Sequence, residues 1–370
     1  MTTAPSSGAI ARPGDTIGIL GGGQLGRMMA MAAAEMGLDV HIFAPESDSP
    51  ASRVARKTWT AEWSDAAALK DFAASVKVAT IEFENVPTQA VDVIVDAGTP
   101  VRPDSRALAT AQDRLAEKTF FRSIGIEPPG FARIDAPGEI EAALKALGGA
   151  GILKSRFSGY DGKGQVRLEG AIAPDAAWAG VGAQRSILEA LVPFEREISV
   201  VCCRGADGSF TAWDPPENDH AGGVLRTSTF PALGPRELLD EARALAKKLA
   251  DELNYVGVLA LELFVTRDGR LLANEFAPRV HNSGHWTSDA CATGQFEQHI
   301  RAVCGWPLGD VTRHADGEMI NLLGDDWRTW ETALAEGAKL HLYGKRRAAD
   351  GRKMGHVTRL RPLGSAAGKR

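Results

Sequence analysis

The first third of the chain alternates short apolar runs with longer segments of helical periodicity. The apolar run "TIGIL" at 16–20 is followed by the turn "GGGQLG" and by "RMMAMAAAEMGL", whose apolar positions recur at helical spacing. A second strand, "DVHIFA", and a further strand–helix series that ends in "KVATIEFENVP" continue the pattern. Strands that alternate with helices predict a parallel sheet with helices on both faces.

The pattern changes after Gly148, where short strands are separated by turns. These predicted strands are "AGILKSR", "QVRLE", "SILEALV" and "EISVVCCR". A predicted helix at 113–124, which ends before a glycine and two prolines, marks the boundary between the two regions. The long amphipathic helix "PRELLDEARALAKKLADEL", the hairpin "GVLALELFVTRDGRLLANEF" and the strand "KLHLYG" follow. The chain therefore combines an α/β region with α+β regions.

Composition narrows the classes of protein that fit this pattern. A chain of 370 residues has room for two or three domains. Its net charge of −5 provides no basic field for nucleic acid or an anionic membrane. No run approaches the roughly 18 apolar residues of a membrane helix. Residues 1–14, predicted to be a disordered lead-in, lack the apolar core of a signal peptide. We therefore expect a cytoplasmic protein with neither nucleic-acid nor membrane partners.

The four cysteines fit the same environment. Cys202, Cys203, Cys291 and Cys304 have neither CxxC nor zinc-site spacing. We expect buried thiols in a reducing compartment.

The first glycine-rich turn leaves two interpretations open. Gly21, Gly23 and Gly26 fit the dinucleotide-binding fingerprint, and Glu46 follows twenty residues after Gly26. Glycines let a backbone approach a phosphate, and a helix N-terminus favours its negative charge. We expect a phosphate at this loop. A nicotinamide- or flavin-dependent oxidoreductase is the rival interpretation, and a tight turn with no ligand would also need glycine.

A second glycine-rich segment, "FSGYDGKGQVRL" at 157–168, lies between two predicted strands. It is not a Walker loop, because Gly164 is followed by Gln165 and no helix follows. A structural hairpin needs a tip of only two to five residues. The longer tip predicts a mobile flap whose N–H groups close over an anion, which Lys154 on the incoming strand can also reach. The alternative is a disordered tip with a solvated lysine.

Two glutamates are predicted to face each other across the last long hairpin. If Asp268 and Gly269 form its turn, Glu262 stands directly opposite Glu275 on one face. Two like charges in this arrangement destabilise a hairpin, but a hard cation between them reverses the effect. A lysine, a glycine flap and a carboxylate pair together predict an ATP–Mg²⁺ site between two β-layers.

Specific strings in the chain resemble the 5-(carboxyamino)imidazole ribonucleotide synthetase family of the ATP-grasp superfamily. They are "GGGQLGRM", "EFENVP", "GYDGKGQ", "NEFAPRVHNSGHWT", "QFEQHIRA" and "GRKMGH", and they cover nearly all of the chain. The resemblance implies an ATP-grasp fold with an N-terminal Rossmann-like domain at 15–118. It also implies an ATP-grasp domain at 119–310, with a mobile subdomain near 150–195, a small C-terminal β-rich domain at 311–370, and a homodimer.

The resemblance also implies an ATP site and a metal site. Phosphate contacts are expected from Arg114, Lys154, Gly159, Tyr160, Asp161, Gly162, Lys163, Gly164 and Gln165. Backbone groups of Glu189, Ala190, Leu191 and Val192 are expected to contact adenine, Glu197 the ribose, and His220 and Asn274 the nucleotide. Glu262 and Glu275 match the ligands of Mg²⁺, for which Mn²⁺ could substitute.

The implied reaction uses ATP to carboxylate the amine of aminoimidazole ribonucleotide with bicarbonate, in purine biosynthesis. The expected catalytic residues are Lys154, Asp161, which would accept a hydrogen bond from the substrate amine, and Arg279, which would orient bicarbonate or phosphate. The expected substrate-binding residues are Gly23, Gln24, Leu25, Glu82, His281, Asn282, Ser283 and the basic cluster Lys345, Arg352 and Lys353. Another ATP-grasp ligase, such as a formate-dependent transformylase, and a non-catalytic nucleotide-binding protein stay open as alternatives.

Overall fold

The computed structural model describes residues 10–157, 164–170 and 173–365. Its first region has a four-stranded parallel sheet in the order β3-β2-β1-β4, as predicted. The strands are β1 (Thr16–Leu20), β2 (Asp39–Ala44), β3 (Lys57–Thr60) and β4 (Ala79–Ile81). The helices of this region are α1 (Gln24–Glu35), α2 (Ala66–Ala74), α3 (Thr88–Asp96) and α4 (Ser105–Gln112).

Apolar side chains cover both faces of this sheet. Ile17 and Ile19 belong to one buried cluster, whereas Leu20 and Ile81 belong to another. Alternation along β1 therefore sends side chains into two cores, as a sheet covered on both sides requires.

A smaller antiparallel sheet follows, with the order β5-β8-β6-β7. The elements of this region are α5 (Arg114–Ser123), β5 (Phe131–Ile134), α6 (Ile140–Ala146), β6 (Ala150–Ser155), β7 (Gln165–Glu169), α7 (Pro174–Gly180) and β8 (Ser186–Ala190). β6 and β7 are the two strands that flank the predicted flap, and Lys154 pairs with Gln165 at its base.

The remaining strands form one large sheet with the order β14-β13-β9-β11-β12-β15-β17-β16, and β10 pairs with β9 at its side. The strands are β9 (Phe194–Arg204), β10 (Phe210–Ala212), β11 (Glu217–Ala221), β12 (Val224–Phe230), β13 (Gly257–Thr266), β14 (Leu271–Ala277), β15 (Asp316–Leu323), β16 (Lys339–Leu342) and β17 (Lys353–Arg361). The helices are α8 (Arg236–Glu252), α9 (Thr287–Ala290), α10 (Gln295–Cys304) and α11 (Trp330–Ala335).

The C-terminal region is rich in β-structure, as expected, but it does not form a separate sheet. β15 pairs with β12, so the C-terminal strands extend the sheet that carries the glutamate hairpin. All four cysteines are buried and unpaired. Within the described ranges, no helix combines the length and the apolar character needed to cross a bilayer.

Candidate active site

The two glutamates of the long hairpin face each other, as the sequence predicts. β13 and β14 pair antiparallel, with Glu262 directly opposite Glu275. Leu261, Leu263 and Val265 alternate with Glu262 and are buried on the other face of the strand. The apolar face therefore anchors the hairpin in the core, and the two glutamates lie on the opposite face.

The details of the hairpin differ from the prediction in two ways that compensate each other. The turn contains three residues rather than two, because the N–H of Thr266 donates to the carbonyl of Arg270 at 3.0 Å. This shifts the pairing by one residue, so that Leu263 pairs with Ala273. A bulge at Asn274, which has no partner in the ladder, then restores the register for the two glutamates.

Glu275 lies among cations. Arg114 Nη1 at the start of α5 donates to Glu275 Oε2 at 3.0 Å, and the Glu275 side chain is 41% exposed to solvent. Burial raises the pKa of Glu275, but the charges of Arg114, Lys154 and Lys118 outweigh burial and lower it to about 2. Lys154 belongs to the smaller sheet and Arg114 and Lys118 to α5, so charges from two separate elements act on this carboxylate of the large sheet.

Glu262 belongs to a second group of ligating side chains. Its Oε1 lies 3.0 Å from His281 Nε2, and it offers an oxygen within 4.8 Å of ligand atoms of Glu197 and His220. His220 Nδ1 lies 3.0 Å from Glu197 Oε2. Burial lowers the pKa of His220, but the hydrogen bond and charge of Glu197, with the charges of Glu262 and Glu275, produce a net increase. Carboxylate oxygens of this kind suit a hard divalent cation.

Lys154 and Glu189 form a buried ion pair on the smaller sheet. Lys154 Nζ donates to Glu189 Oε2 at 2.8 Å, and Glu189 is 4% exposed. Its Oε1 is buried and has no hydrogen-bond partner among the described residues. Burial opposes ionisation of Glu189, but the charges of Lys154, Lys118 and Arg114 lower its pKa. A buried acceptor without a partner is available to a donor on a ligand.

The backbone of the predicted adenine segment is partly used by the protein. The N–H of Ala190 donates to Gly130 at 2.7 Å, and the N–H of Leu191 donates to Ala150 at 3.2 Å. Backbone contacts from residues 189–192 to adenine stay a prediction.

Most of the flap cannot be compared with the prediction. Gly159, Tyr160, Asp161, Gly162 and Lys163 lie outside the described residues. The base of the flap is described: the N–H of Ser155 donates to the carbonyl of Gly164 at 2.9 Å, and Gly164 has a φ of +68°. A left-handed conformation of this kind favours glycine.

The glycine-rich loop before α1 differs from the prediction of an open phosphate cradle. The N–H groups of Gly23 and Gly26 donate to the two carboxylate oxygens of Glu82, at 2.7 and 3.3 Å. Glu82 is 9% exposed, and Gln24 and Leu25 begin the helix. These two N–H groups therefore already bind a carboxyl group of the chain itself, whose pKa is raised by burial, and a phosphate at this loop stays a prediction.

Arg279 is engaged with Glu84. Its Nη2 donates to Glu84 Oε1 at 2.8 Å, and its Nε donates to the other carboxylate oxygen. Burial lowers the pKa of Arg279, but the charge of Glu84 outweighs burial and raises it. A role for Arg279 in orienting bicarbonate stays a prediction, and such a ligand would compete with Glu84 for the guanidinium.

His281, Asn282 and Ser283 lie together beside Glu262, which His281 contacts. His281 Nδ1 lies 2.9 Å from Ser283 Oγ, which also accepts from Ser199 Oγ at 2.7 Å. Asn282 is 9% exposed, and neither polar atom of its amide has a hydrogen-bond partner in the described part of the chain. The amide of Asn282 is therefore the group of this trio that is free to serve a ligand.

The basic cluster lies where the C-terminal strands meet the first region. Lys345 lines a cavity of about 260 Å³ together with Trp327 and Arg346. Arg352 is exposed and donates to the carbonyl of Arg347 at 3.0 Å, whereas Lys353 begins β17. Of the three residues predicted to bind a 5′-phosphate, Lys345 lines this cavity.

A buried charge pair that the sequence analysis missed lies under the hairpin. Glu117 and Lys118 on α5 are 2% and 1% exposed, with Lys118 Nζ 3.5 Å from Glu117 Oε2. Glu117 Oε1 also accepts from the N–H of Phe276 at 2.7 Å. Burial raises the pKa of Glu117 to about 7. The available signal was the helical spacing of Lys118 and Phe121 with Arg114, which places charged side chains on the inner face of α5.

Comparisons with known proteins agree with this architecture. A Ribonucleotide synthetase preATP-grasp domain matches residues 15–112, and an ATP-grasp domain matches residues 119–296. A Phosphoribosylaminoimidazole carboxylase C-terminal domain matches residues 318–369.

Individual relatives match over almost the whole chain. N5-carboxyaminoimidazole ribonucleotide synthase of Brucella melitensis is 51% identical over 95% of this chain and 98% of its own length. A crystal structure of the ADP complex of an N5-carboxyaminoimidazole ribonucleotide synthetase has a TM-score of 0.92 at 40% identity, covering 95% of this chain and 94% of that chain. N5-carboxyaminoimidazole synthase of Aspergillus clavatus, solved with ADP and 5-aminoimidazole ribonucleotide, has a TM-score of 0.87 at 27% identity over 94% of each chain. The chain belongs to the N5-carboxyaminoimidazole ribonucleotide synthase family of ATP-grasp enzymes.

Proposed function

We propose that this chain is an ATP-dependent ligase that carboxylates the amine of 5-aminoimidazole ribonucleotide with bicarbonate. The observation that carries the proposal is the pair of facing carboxylates, Glu262 and Glu275, in a cleft where Lys154 of the other sheet acts on Glu275. The Aspergillus clavatus relative was solved with ADP and 5-aminoimidazole ribonucleotide, which supports the same pair of ligands here.

The carboxylate pair fits a hard divalent cation. Two opposed carboxylates supply the oxygen donors that Mg²⁺ prefers, and their mutual repulsion is relieved when a cation lies between them. We propose Glu262 and Glu275 as the ligands of Mg²⁺ or Mn²⁺. The bound cation would neutralise charge on the phosphoryl group that is transferred.

The reaction consists of two transfers. An oxygen of bicarbonate attacks the γ-phosphorus of ATP, the bond to the β–γ bridging oxygen breaks, and ADP and carboxyphosphate result. The amine nitrogen then attacks the carboxyl carbon, inorganic phosphate leaves with the electron pair of the broken C–O bond, and the nitrogen loses a proton.

Residues of this chain have separate tasks in those transfers. Arg114 and Lys154 hold phosphate oxygens, and the flap at 159–165 excludes water from carboxyphosphate, which hydrolyses readily. Arg279 exchanges Glu84 for planar bicarbonate or for the departing phosphate, either of which offers oxygens to the guanidinium. The basic cluster that includes Lys345 holds the 5′-phosphate of the ribonucleotide.

The experiment measures ADP release from MgATP with 5-aminoimidazole ribonucleotide and bicarbonate, each omitted in turn. Rapid ADP release is expected only with the complete set. Release at the full rate without bicarbonate, or with formate in its place, would contradict the proposed acceptor. Omission of Mg²⁺ in the presence of a chelator is expected to stop the reaction.

We also propose that the chain acts as a cytoplasmic homodimer, as its family resemblance implies. Sedimentation velocity at micromolar concentration tests the oligomeric state. A single species with the mass of one chain, 39.3 kDa, would contradict the dimer.

A further inference from the structure

The strand that carries Glu275 is at the edge of the large sheet. The sheet order places β14 outermost, next to β13 alone. Edge strands present N–H groups that need other partners. On β14, the N–H of Ala273 donates to the carbonyl of Glu127 at 2.8 Å, and the N–H of Phe276 donates to Glu117 Oε1 at 2.7 Å. These two hydrogen bonds lie on either side of the bulge at Asn274.

The bulge determines which way Glu275 points. Without the extra residue Asn274, the pairing would stay one residue out of step beyond Ala273. A slip of one residue sends a strand's side chains to the opposite face. The position of Glu275 therefore depends on the contacts that hold the backbone on both sides of Asn274.

Glu117 is the only side chain in these two contacts, since Glu127 contributes its carbonyl. It reaches the strand from α5, which packs on β14 through the rings of Phe121 and Phe276, 6.0 Å apart. Glu117 is 2% exposed, and its other oxygen lies 3.5 Å from the buried ammonium of Lys118. Removing two charges from water costs free energy that can cancel their mutual attraction, so a gain in stability does not by itself explain this buried ion pair. We therefore looked for another role of Glu117.

We propose that Glu117 is a positioning residue for the metal ligand Glu275, and that it acts by accepting the hydrogen bond of the Phe276 N–H. The other oxygen of Glu117 lies 3.5 Å from the buried ammonium of Lys118, which removal of both side chains takes out of the comparison. The inference rests on the proposed function in one respect, which is that Glu275 binds the cation.

A matched pair of double variants separates the hydrogen bond from the buried charges. Glu117→Gln with Lys118→Met keeps a side-chain carbonyl acceptor, and Glu117→Leu with Lys118→Met removes it. Both variants lack the ion pair and have side chains of similar size. Mn²⁺ is the probe, and its binding to the protein with saturating ADP is followed by the electron paramagnetic resonance of free Mn²⁺. ADP affinity without metal and thermal unfolding are measured in parallel.

The Leu variant is expected to bind Mn²⁺ about tenfold more weakly than the Gln variant, which corresponds to one lost hydrogen bond. Metal-free ADP affinity should agree within twofold between the two variants, because the nucleotide does not use the Phe276 N–H. In turnover, the Leu variant should need about tenfold more Mg²⁺ to reach half its maximal rate. If the Leu variant does not fold, Glu117→Asn with Lys118→Met provides the contrast, because Asn withdraws the acceptor by one methylene.

Equal Mn²⁺ affinities of the two double variants would overturn the positioning role. That outcome differs from a failure of the proposed function, which would appear as parent protein that binds no Mn²⁺ with ADP. A fall in Mn²⁺ affinity accompanied by an equal fall in metal-free ADP affinity would also overturn it, because a general disturbance of the site would then explain the loss.

Discussion

Arg114 and Glu275, one expected to hold phosphate and the other the cation, are bound to each other, with Nη1 and Oε2 3.0 Å apart. A cation at Glu275 removes the negative charge that Arg114 neutralises, and a phosphate offers the guanidinium a new partner. If Glu275 binds the cation and Arg114 binds phosphate, as proposed, we expect binding of the metal and of the nucleotide to be coupled, because each ligand releases the other one's side chain from this ion pair.

This relationship predicts the behaviour of Glu275→Gln. The amide removes the charge that the cation needs but keeps the size of the side chain. Turnover should fall by about 100-fold or more, the order of loss when a transition-state electrostatic contact is removed. The Tm should change little, because the side chain is 41% exposed. Initial rates of ADP release and a thermal melt provide both values.

A matched control for this variant is Glu127→Gln. Its side chain is 66% exposed, and the only contact of its carboxylate that the structure records within the described residues is Arg270 at 3.6 Å. Activity close to that of the parent is expected. If Glu275→Gln kept the parent rate, the hairpin would have no role in metal binding.

A second prediction concerns the glycine-rich loop and Glu82. A Cβ added at Gly23 would lie 2.6 Å from Glu82 Oε1, so Gly23→Ala must displace the carboxylate that accepts the loop N–H groups. The expected cost is about 1–3 kcal/mol of unfolding free energy, from overpacking and a weakened hydrogen bond. The measurement is the shift in Tm relative to the parent.

Gly138→Ala is the control for that loss, because a Cβ there meets nothing within 4 Å. It should leave the Tm nearly unchanged. If the Gly23→Ala protein were as stable as the Gly138→Ala protein, the hydrogen bonds of Glu82 to the loop would contribute nothing measurable to stability.

The sequence predicted correctly that Glu262 and Glu275 face each other, but the turn and the register from which we predicted it differ from those in the structure. The turn signal of Asp268 and Gly269 indicated a two-residue turn. The structure has a three-residue turn and a bulge at Asn274, two departures that cancel. Bulges depend on what packs against a strand, here α5, and that contact joins segments about 160 residues apart.

Two other features of the site depend on contacts that short motifs do not contain. The glycine loop has the pattern of a phosphate site, but the pattern could not show that Gly23 donates to the carboxyl group of Glu82, 59 residues away. Lys118 is one of many charged residues on predicted helices, and most such residues face solvent. Its burial follows from the packing of α5 on the edge strand. By contrast, strand and helix positions followed from local periodicity and agree closely with β1, β2, α5 and α8.

A third prediction concerns the four cysteines. All are buried, and burial raises the pKa of Cys291 and of Cys304 to about 12 and the pKa of Cys202 and Cys203 as well. A thiol must ionise and be reached by the reagent before it reacts. Ellman's reagent should therefore label fewer than one thiol per folded chain within minutes at pH 8, and four after denaturation. Rapid labelling of one thiol in the folded protein would contradict the buried position.

The last prediction is the contribution of Glu117 to the pH dependence of stability. Burial raises its pKa from 4.5 to about 7, so between these values the folded protein holds a proton that the unfolded chain releases. Stability from this group is complete below pH 4.5 and falls by about 3 kcal/mol as the pH rises to 7. Glu117→Gln cannot titrate, so its stability relative to the parent should increase over that interval. Tm values of both proteins at pH 5.0 and 7.5 measure the change, with Glu141→Gln, at an exposed position of α6, as the control. A Tm difference that is the same at both pH values would mean that Glu117 is already ionised in the folded protein at pH 5, with Lys118 as a full counter-charge.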